Sequence, residues 1–186
     1  MSPGRLNALT DGVVAIVLTI MVLELKVPAE PTLGAAFSVL PLLAAYLLAF
    51  VNVAIYWNNH MMQSAHKVTG AVLWANHALL FCLTLFPLMI RWIDEAGVTP
   101  WPVASFGVVL VAAAIAYQLL ERALIAAEGE ESRVQKALGH GVKEWVSFSA
   151  YVLAVPLAFV SPYISVAIYV VISILWIIPD RRFERL

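Results

Sequence analysis

The sequence predicts an all-α membrane protein with six transmembrane helices, and three observations lead there. Of its 186 residues 62% are hydrophobic and only 12% charged, against about 45–50% and roughly 25% in a soluble domain. Apolar stretches near the length of about 20 residues that a spanning helix needs occur six times. The basic residues between those stretches fall almost entirely on one side.

The same figures exclude other classes. A mean hydropathy of +0.89 is incompatible with disorder or a soluble surface. A net charge of −1 gives no reason to expect nucleic acid as a partner. Cys82 is the only cysteine, so neither a disulfide nor a thiolate metal cluster is available. No cofactor motif occurs: there is no Walker loop, G-x-G-x-x-G, H-E-x-x-H or G-x-S-x-G. An enzyme is therefore not expected.

The first helix is expected over residues 3–27, with Ser2 as N-cap, Pro3 at the first helical position, and Pro28 and Pro31 as its stop. It lacks an A-x-A cleavage pattern and a polar chain after it, so it reads as a retained helix and not a signal peptide. The second, 33–62, is long for a span, so its first turns belong at the interface. The third and fourth cover 70–92 and 101–122. A cytoplasmic linker, 123–143, leads to two short helices, 144–160 and 163–178, joined at Ser161-Pro162 as a hairpin. The whole chain, 1–186, reads as one domain.

Arg5, Lys67, Arg122, Arg133, Lys136, Lys143, Arg181, Arg182 and Arg185 fall on one side, and only Lys26 and Arg91 on the other. That split places both termini in the cytoplasm. Trp92 and Trp101 then mark the outer interface and Trp145 and Trp176 the inner one. The expected location is the cell membrane, crossed several times.

An ionisable group inside a span costs roughly 2.5–3.5 kcal/mol on insertion scales and asks for a partner or a water path. Asp11 lies about 12 Å into the first helix at 1.5 Å per residue. Trp57, Asn58, Asn59 and His60 end the second helix, and Trp74, Asn76 and His77 begin the third. Topology puts all of them at the depth of Arg5 and Asp11. The expectation is a buried hydrogen-bond network fixing the first helix to the second and third, with Asp11 accepting from indole, imidazole or amide donors. Two alternatives stand beside it: ordinary interfacial residues, or a proton relay of Asp11 with His60 or His77.

At about 100° per residue, Arg5, Ala8, Gly12, Ile16, Thr19 and Leu23 share one stripe of the first helix, and Asp11 points to its flank. Periodicity alone leaves lipid contact or helix packing open for that stripe, since small residues also serve close packing.

The run Arg5-Leu6-Asn7-Ala8-Leu9-Thr10-Asp11 resembles the R-x-x-x-F-S-D signature that opens the first helix of the transmembrane protein 175 family. The likeness continues through Thr19 and Val22-Leu23-Glu24-Leu25-Lys26-Val27-Pro28, then Tyr56-Trp57-Asn58-Asn59-His60, Leu73-Trp74-Ala75-Asn76 and Leu85-Phe86-Pro87. Leu9 and Thr10 replace the signature's Phe and Ser, keeping one apolar and one hydroxyl residue. The resemblance implies a cation channel, potassium-selective in bacteria, with proton permeation associated with the animal members. It also implies a homotetramer whose four first helices line a pore without a carbonyl filter. By position, the family's apolar constriction falls on Ile16, its pore threonine on Thr19 and a further apolar ring on Leu23, with Ala8 and Gly12 on the same face. K+ would pass close to Thr19 without a fixed metal site. Arg5, Thr10, Asp11, Trp57, Asn59, His60, Asn76 and His77 would form the signature network. A proton- or sodium-coupled transporter using Asp11 and the membrane histidines, with Pro41 and Pro156 as helix breakers, is the competing expectation. A non-conducting membrane organiser is the third.

Overall fold

The computed structural model describes residues 2–28, 30–60, 67–128 and 142–177. Eight helices account for most of them: α1 (Pro3–Leu23), α2 (Leu33–Ser38), α3 (Leu40–Asn58), α4 (Gly70–Thr84), α5 (Phe86–Ala96), α6 (Pro100–Glu128), α7 (Val142–Leu157) and α8 (Pro162–Ile177). No strand occurs among the described residues.

Two of the expected rods are broken, each at a single residue two positions before a proline. Val39 separates α2 from α3 ahead of Pro41, and Leu85 separates α4 from α5 ahead of Pro87. A proline has no N–H to donate, and its ring crowds the carbonyl four residues back, so the ladder is interrupted one turn upstream. Counting across these breaks gives six rods. Four of them, Pro3–Leu23, Leu33–Asn58, Gly70–Ala96 and Pro100–Ala127, are long and apolar enough to cross a membrane. The last two have 16 residues each. At 1.5 Å per residue they reach about 24 Å, short of a hydrocarbon core about 30 Å thick.

Several boundaries depart from those read from the sequence. The first helix stops at Leu23, four residues early, with Glu24 as its C-cap. The second stops at Asn58. The fourth rod runs on to Glu128 instead of ending at Arg122, because Ala123, Leu124, Ile125, Ala126 and Ala127 continue its apolar pattern; the expected linker loses its first six residues to α6. Linker residues 129–141 and the basic cluster Arg181, Arg182 and Arg185 lie outside the described residues. Ser2 takes the extended N-cap backbone, but its side chain makes no capping bond. Thr32 and Thr69 do cap: their hydroxyls accept from Ala35 and Val72 backbone N–H groups at 3.2 and 3.3 Å. Gly97 ends α5 with φ +72°, a conformation open mainly to glycine.

The long α6 is the central pillar, packing against α4, α5, α7 and α8. A chain of rings holds this centre together. Phe86 meets Phe106 edge-on at 5.5 Å, Phe106 meets Tyr169 at 5.8 Å, and Tyr169 meets Tyr151 at 6.2 Å. Gly107 makes the arrangement possible, since a Cβ there would lie 2.1 Å from the Tyr169 hydroxyl oxygen. That hydroxyl donates to the Val103 carbonyl at 3.3 Å. On the far side of α4, α1 packs against α3, α4 and α5 at the edge of the bundle. It buries Leu6, Thr10, Val14, Val17 and Met21 and leaves its other face uncovered.

Candidate functional site: the uncovered face of the first helix

The uncovered face of α1 contains the stripe read from the sequence. Arg5, Ala8, Gly12, Ile16, Thr19 and Leu23 are all exposed, Ile16 at 57% and Leu23 at 81%. The stripe therefore does not pack within its own subunit, and the remaining choices are lipid or another copy of the chain. Thr19 is satisfied locally: its hydroxyl lies 3.0 Å from the Ala15 carbonyl and 2.9 Å from that of Ile16. With its proton turned into the helix, the oxygen presents lone pairs outward, as an acceptor. Beside the stripe an open groove of about 460 Å³ separates Ile16, Ile20 and Glu24 from Thr84, Leu88 and Arg91.

The polar residues at the Arg5 end form two connections, and they differ in burial. One is a directional chain. The His60 Nε2 lies 2.8 Å from the Asn76 carbonyl oxygen, the Asn76 amide donates to the Thr10 hydroxyl at 3.0 Å, and Thr10 donates to the Leu6 carbonyl at 3.0 Å. Each group donates forward, which assigns the His60 proton to Nε2. Thr10 and Asn76 are buried at 2% and 0% exposure, so this chain ties α1 to α4 and to the chain just past α3 away from solvent. The second connection is Trp57 Nε1 donating to Asp11 Oδ1 at 2.9 Å. Asp11 is exposed and Trp57 is 45% exposed, so Asp11 sits on an open flank and not in a buried network. The reason is angular: Thr10 occupies the packed side of α1, and the next residue is turned about 100° away from it.

Other members of the expected network lie apart. Arg5 is exposed and makes no ion pair among the described residues. His77 Nδ1 bonds to the Leu73 carbonyl of its own helix at 2.6 Å. The Asn59 amide donates to Ile55 at 2.9 Å, and its backbone carbonyl accepts from Tyr117 at 2.7 Å. His60 lies two residues beyond α3, and burial pushes its imidazole below the ordinary value. The Asn76 bond and the Asp11 charge oppose that effect less strongly.

Three connections were not anticipated. Asn52, in the apolar middle of α3, donates to Ser173 of α8 at 2.9 Å, and an amide at mid-span was the available signal. Trp176 donates to Ser147 at 2.9 Å while Lys143 sits 4.4 Å from its ring centre, tying the hairpin together. At the opposite end, Lys26 pairs with Asp94, and Arg91 pairs with Glu95 at 3.0 Å. Lys26 and Arg91 were both assigned to the outer side, but their carboxylate partners, Asp94 and Glu95, appear only in the fold. Among the described residues no cluster of His, Cys, Asp or Glu could hold a metal ion.

The arrangement can be compared with known proteins. The family model described as endosomal/lysosomal potassium channel TMEM175 matches residues 5–87. The chain is 44% identical over its full length to a potassium channel of a Chryseobacterium strain, covering 97% of that protein. It is 30% identical to a potassium channel of Streptomyces collinus, with 88% of this chain and 86% of that one aligned. A crystal structure of a lysosomal potassium-selective channel TMEM175 homologue from Chamaesiphon minutus superposes with a TM-score of 0.78 at 25% identity. That match covers 94% of this chain and 96% of the other. The full-length alignment to a relative well above 30% identity, the match at the signature helix and the shared fold lead to one conclusion: this is a multi-pass membrane protein, not an enzyme, and it belongs to the TMEM175 family of potassium channels.

Proposed function

We propose that the chain conducts K+ across the cell membrane through a pore lined by the first helices of four copies. The observation that carries this reading is the exposed stripe of α1, on which Ile16, Thr19 and Leu23 follow one another along a helix whose other side, Leu6 to Met21, is packed into the bundle. A single copy cannot enclose a channel, whereas several α1 helices around an axis would bring these side chains into rings. The names of the relatives support the ion, and the outward lone pairs of Thr19 suit a cation.

The physical roles follow from side-chain chemistry. A ring of Ile16 side chains closes a narrow pore to water and ions by dewetting. One turn on, Thr19 oxygens replace part of the hydration shell. Potassium sheds water more readily than sodium, so a ring of modest field strength favours it, with less discrimination than a backbone-carbonyl filter. Leu23 forms a second apolar ring toward the Lys26 end, and Ala8 and Gly12 leave the opposite mouth wide. Both termini lie in the cytoplasm, and the chain 1–186 works as one six-helix domain. Asp11 and Thr10 position α1, and tilting α1 about them gates the pore.

The test is the reversal potential of purified protein in a planar bilayer with K+ on one side and Na+ on the other. A potassium-directed reversal that weakens in Thr19→Ala and Ile16→Asn supports the reading. Absence of current, with saturable uptake only under a proton or sodium gradient, would replace it by a coupled transporter using Asp11 and His60.

A further inference from the structure

The Lys26 end of α1 is held differently from the rest of that helix. Near the Arg5 end, the buried hydrogen bond from Asn76 to Thr10 fixes α1 to α4. Toward the Lys26 end, its Ile16, Ile20 and Glu24 side stands off from Thr84, Leu88 and Arg91 across the open groove. Beyond the helix end the chain is caught by an ion pair: the Lys26 ammonium meets the Asp94 carboxylate. Asp94 is only 15% exposed, and Asp94 accounts for the raised Lys26 pKa through its hydrogen bond and its charge. The neighbouring carboxylate, Glu95, is engaged by Arg91.

Asp94 belongs to α5, which is separated from α4 at Leu85 by Pro87. Asp94 lies seven helical steps beyond Pro87, a lever of about 10 Å. A swing of about 20° at the proline break, of the size that marks a proline kink, would move Asp94 by about 3–4 Å. Lys26 follows Leu23 by three residues, so that displacement reaches the apolar ring at this end of the stripe.

We infer that Lys26 and Asp94 are a positioning pair for the pore: they fasten the outer end of α1 to α5 and draw Leu23 back from the axis. The inference rests on the pore reading above, because it gives Leu23 an axis to be drawn from. α5 packs along the flank of α1 beside the stripe, where its Leu88 and Arg91 line the groove, so the pair holds Leu23 sideways against the bundle, and releasing it lets Leu23 lean inward and narrows the outer constriction. A swing of α5 about Leu85 would be transmitted to the Leu23 end of the pore through this ion pair, at the end of α1 away from the Thr10 and Asp11 connections.

The experiment records K+ currents from the full-length protein in planar bilayers for Lys26→Asp, Asp94→Lys and the double exchange. Each single variant is expected to lower open probability about two- to fivefold, the population shift that a partly exposed ion pair supports. The K+/Na+ reversal potential should stay unchanged, since Thr19 is untouched, and the exchange should restore opening. Lys26→Cys combined with Asp94→Cys gives a second route: oxidation should raise open probability and reductant should lower it again. Cys82 is buried and leaves that background clean. Wild-type open probability in both single variants, or redox insensitivity in a cysteine pair shown to be cross-linked, would overturn the inference. Leu23→Asn separates this from failure of the pore reading. If it alters conductance while the pair variants do nothing, only the positioning pair is wrong; if it also changes nothing, the pore reading falls and takes the pair with it.

Discussion

Asn76 uses both ends of its amide, accepting from His60 and donating to Thr10, at a site with no solvent access. Asn76→Ala removes both bonds at once and leaves a partly buried imidazole N–H without its acceptor. A loss of about 1–3 kcal/mol is expected, read as a lowered melting temperature in detergent. Trp57→Phe loses only the partly exposed bond to Asp11 and should cost less than about 1 kcal/mol in the same assay. Gly107→Ala tests packing rather than polarity. Its Cβ would meet the Tyr169 hydroxyl oxygen at 2.1 Å and the ring carbon beneath it at 2.9 Å. Overpacking of this kind costs about 1–3 kcal/mol, and adding Tyr169→Phe should recover part of it, because the ring contact remains. The sequence made these sites legible to different degrees. Asn76, His60 and Asp11 stood out as polar residues in or beside apolar runs, whereas Thr10 entered only through the resemblance to the family signature. Which of Thr10 and Asp11 faces the bundle depends on the rotation of α1 against its neighbours, which one helix's pattern does not contain. Gly107 gave no signal, since a glycine in a long apolar helix acquires meaning only when a tyrosine from α8 arrives beside it.

Elements carry the next part of the argument. The positions of the six rods were readable because apolar length is imposed by the membrane. Their breaks at Val39 and Leu85 follow from Pro41 and Pro87, of which only Pro41 had been weighed as a breaker; Pro156 instead falls in the last turn of α7. The junction past α3 supplies a pH prediction. His60 is held neutral by burial in the folded protein, while the unfolded chain takes up a proton at about pH 6.5. Protonation therefore favours unfolding: the His60 contribution is complete above about pH 6.5 and declines as the pH falls below it. The melting temperature should drop on acidification through that window, and His60→Gln, which cannot titrate, should flatten the profile. An unaltered profile in His60→Gln would assign the acid sensitivity to another group.

For the whole molecule, the decisive fact is an asymmetry of burial about α1. Its packed side is as enclosed as any part of the core, while Ile16, Thr19 and Leu23 look away from the bundle. The outer faces of α7 and α8 are exposed as well, so exposure alone does not separate a face that meets lipid from one that meets a sister subunit. The difference is chemical. Leu153 and Val171 belong to largely apolar surfaces, with Ser149 the exposed hydroxyl one turn from Leu153, whereas the α1 stripe combines a hydroxyl with two small residues and Arg5. Proximity of copies around an axis can be measured directly, because the single native cysteine is buried. Under mild oxidation in membranes, Leu23→Cys should form covalent dimers on a denaturing gel, whereas Leu153→Cys, 62% exposed in the wild type on α7, should stay monomeric. Cross-linking at Leu153 and not at Leu23 would turn the assembly around, placing α7 at the interface and α1 against lipid. Thr19 would then have no ion to meet.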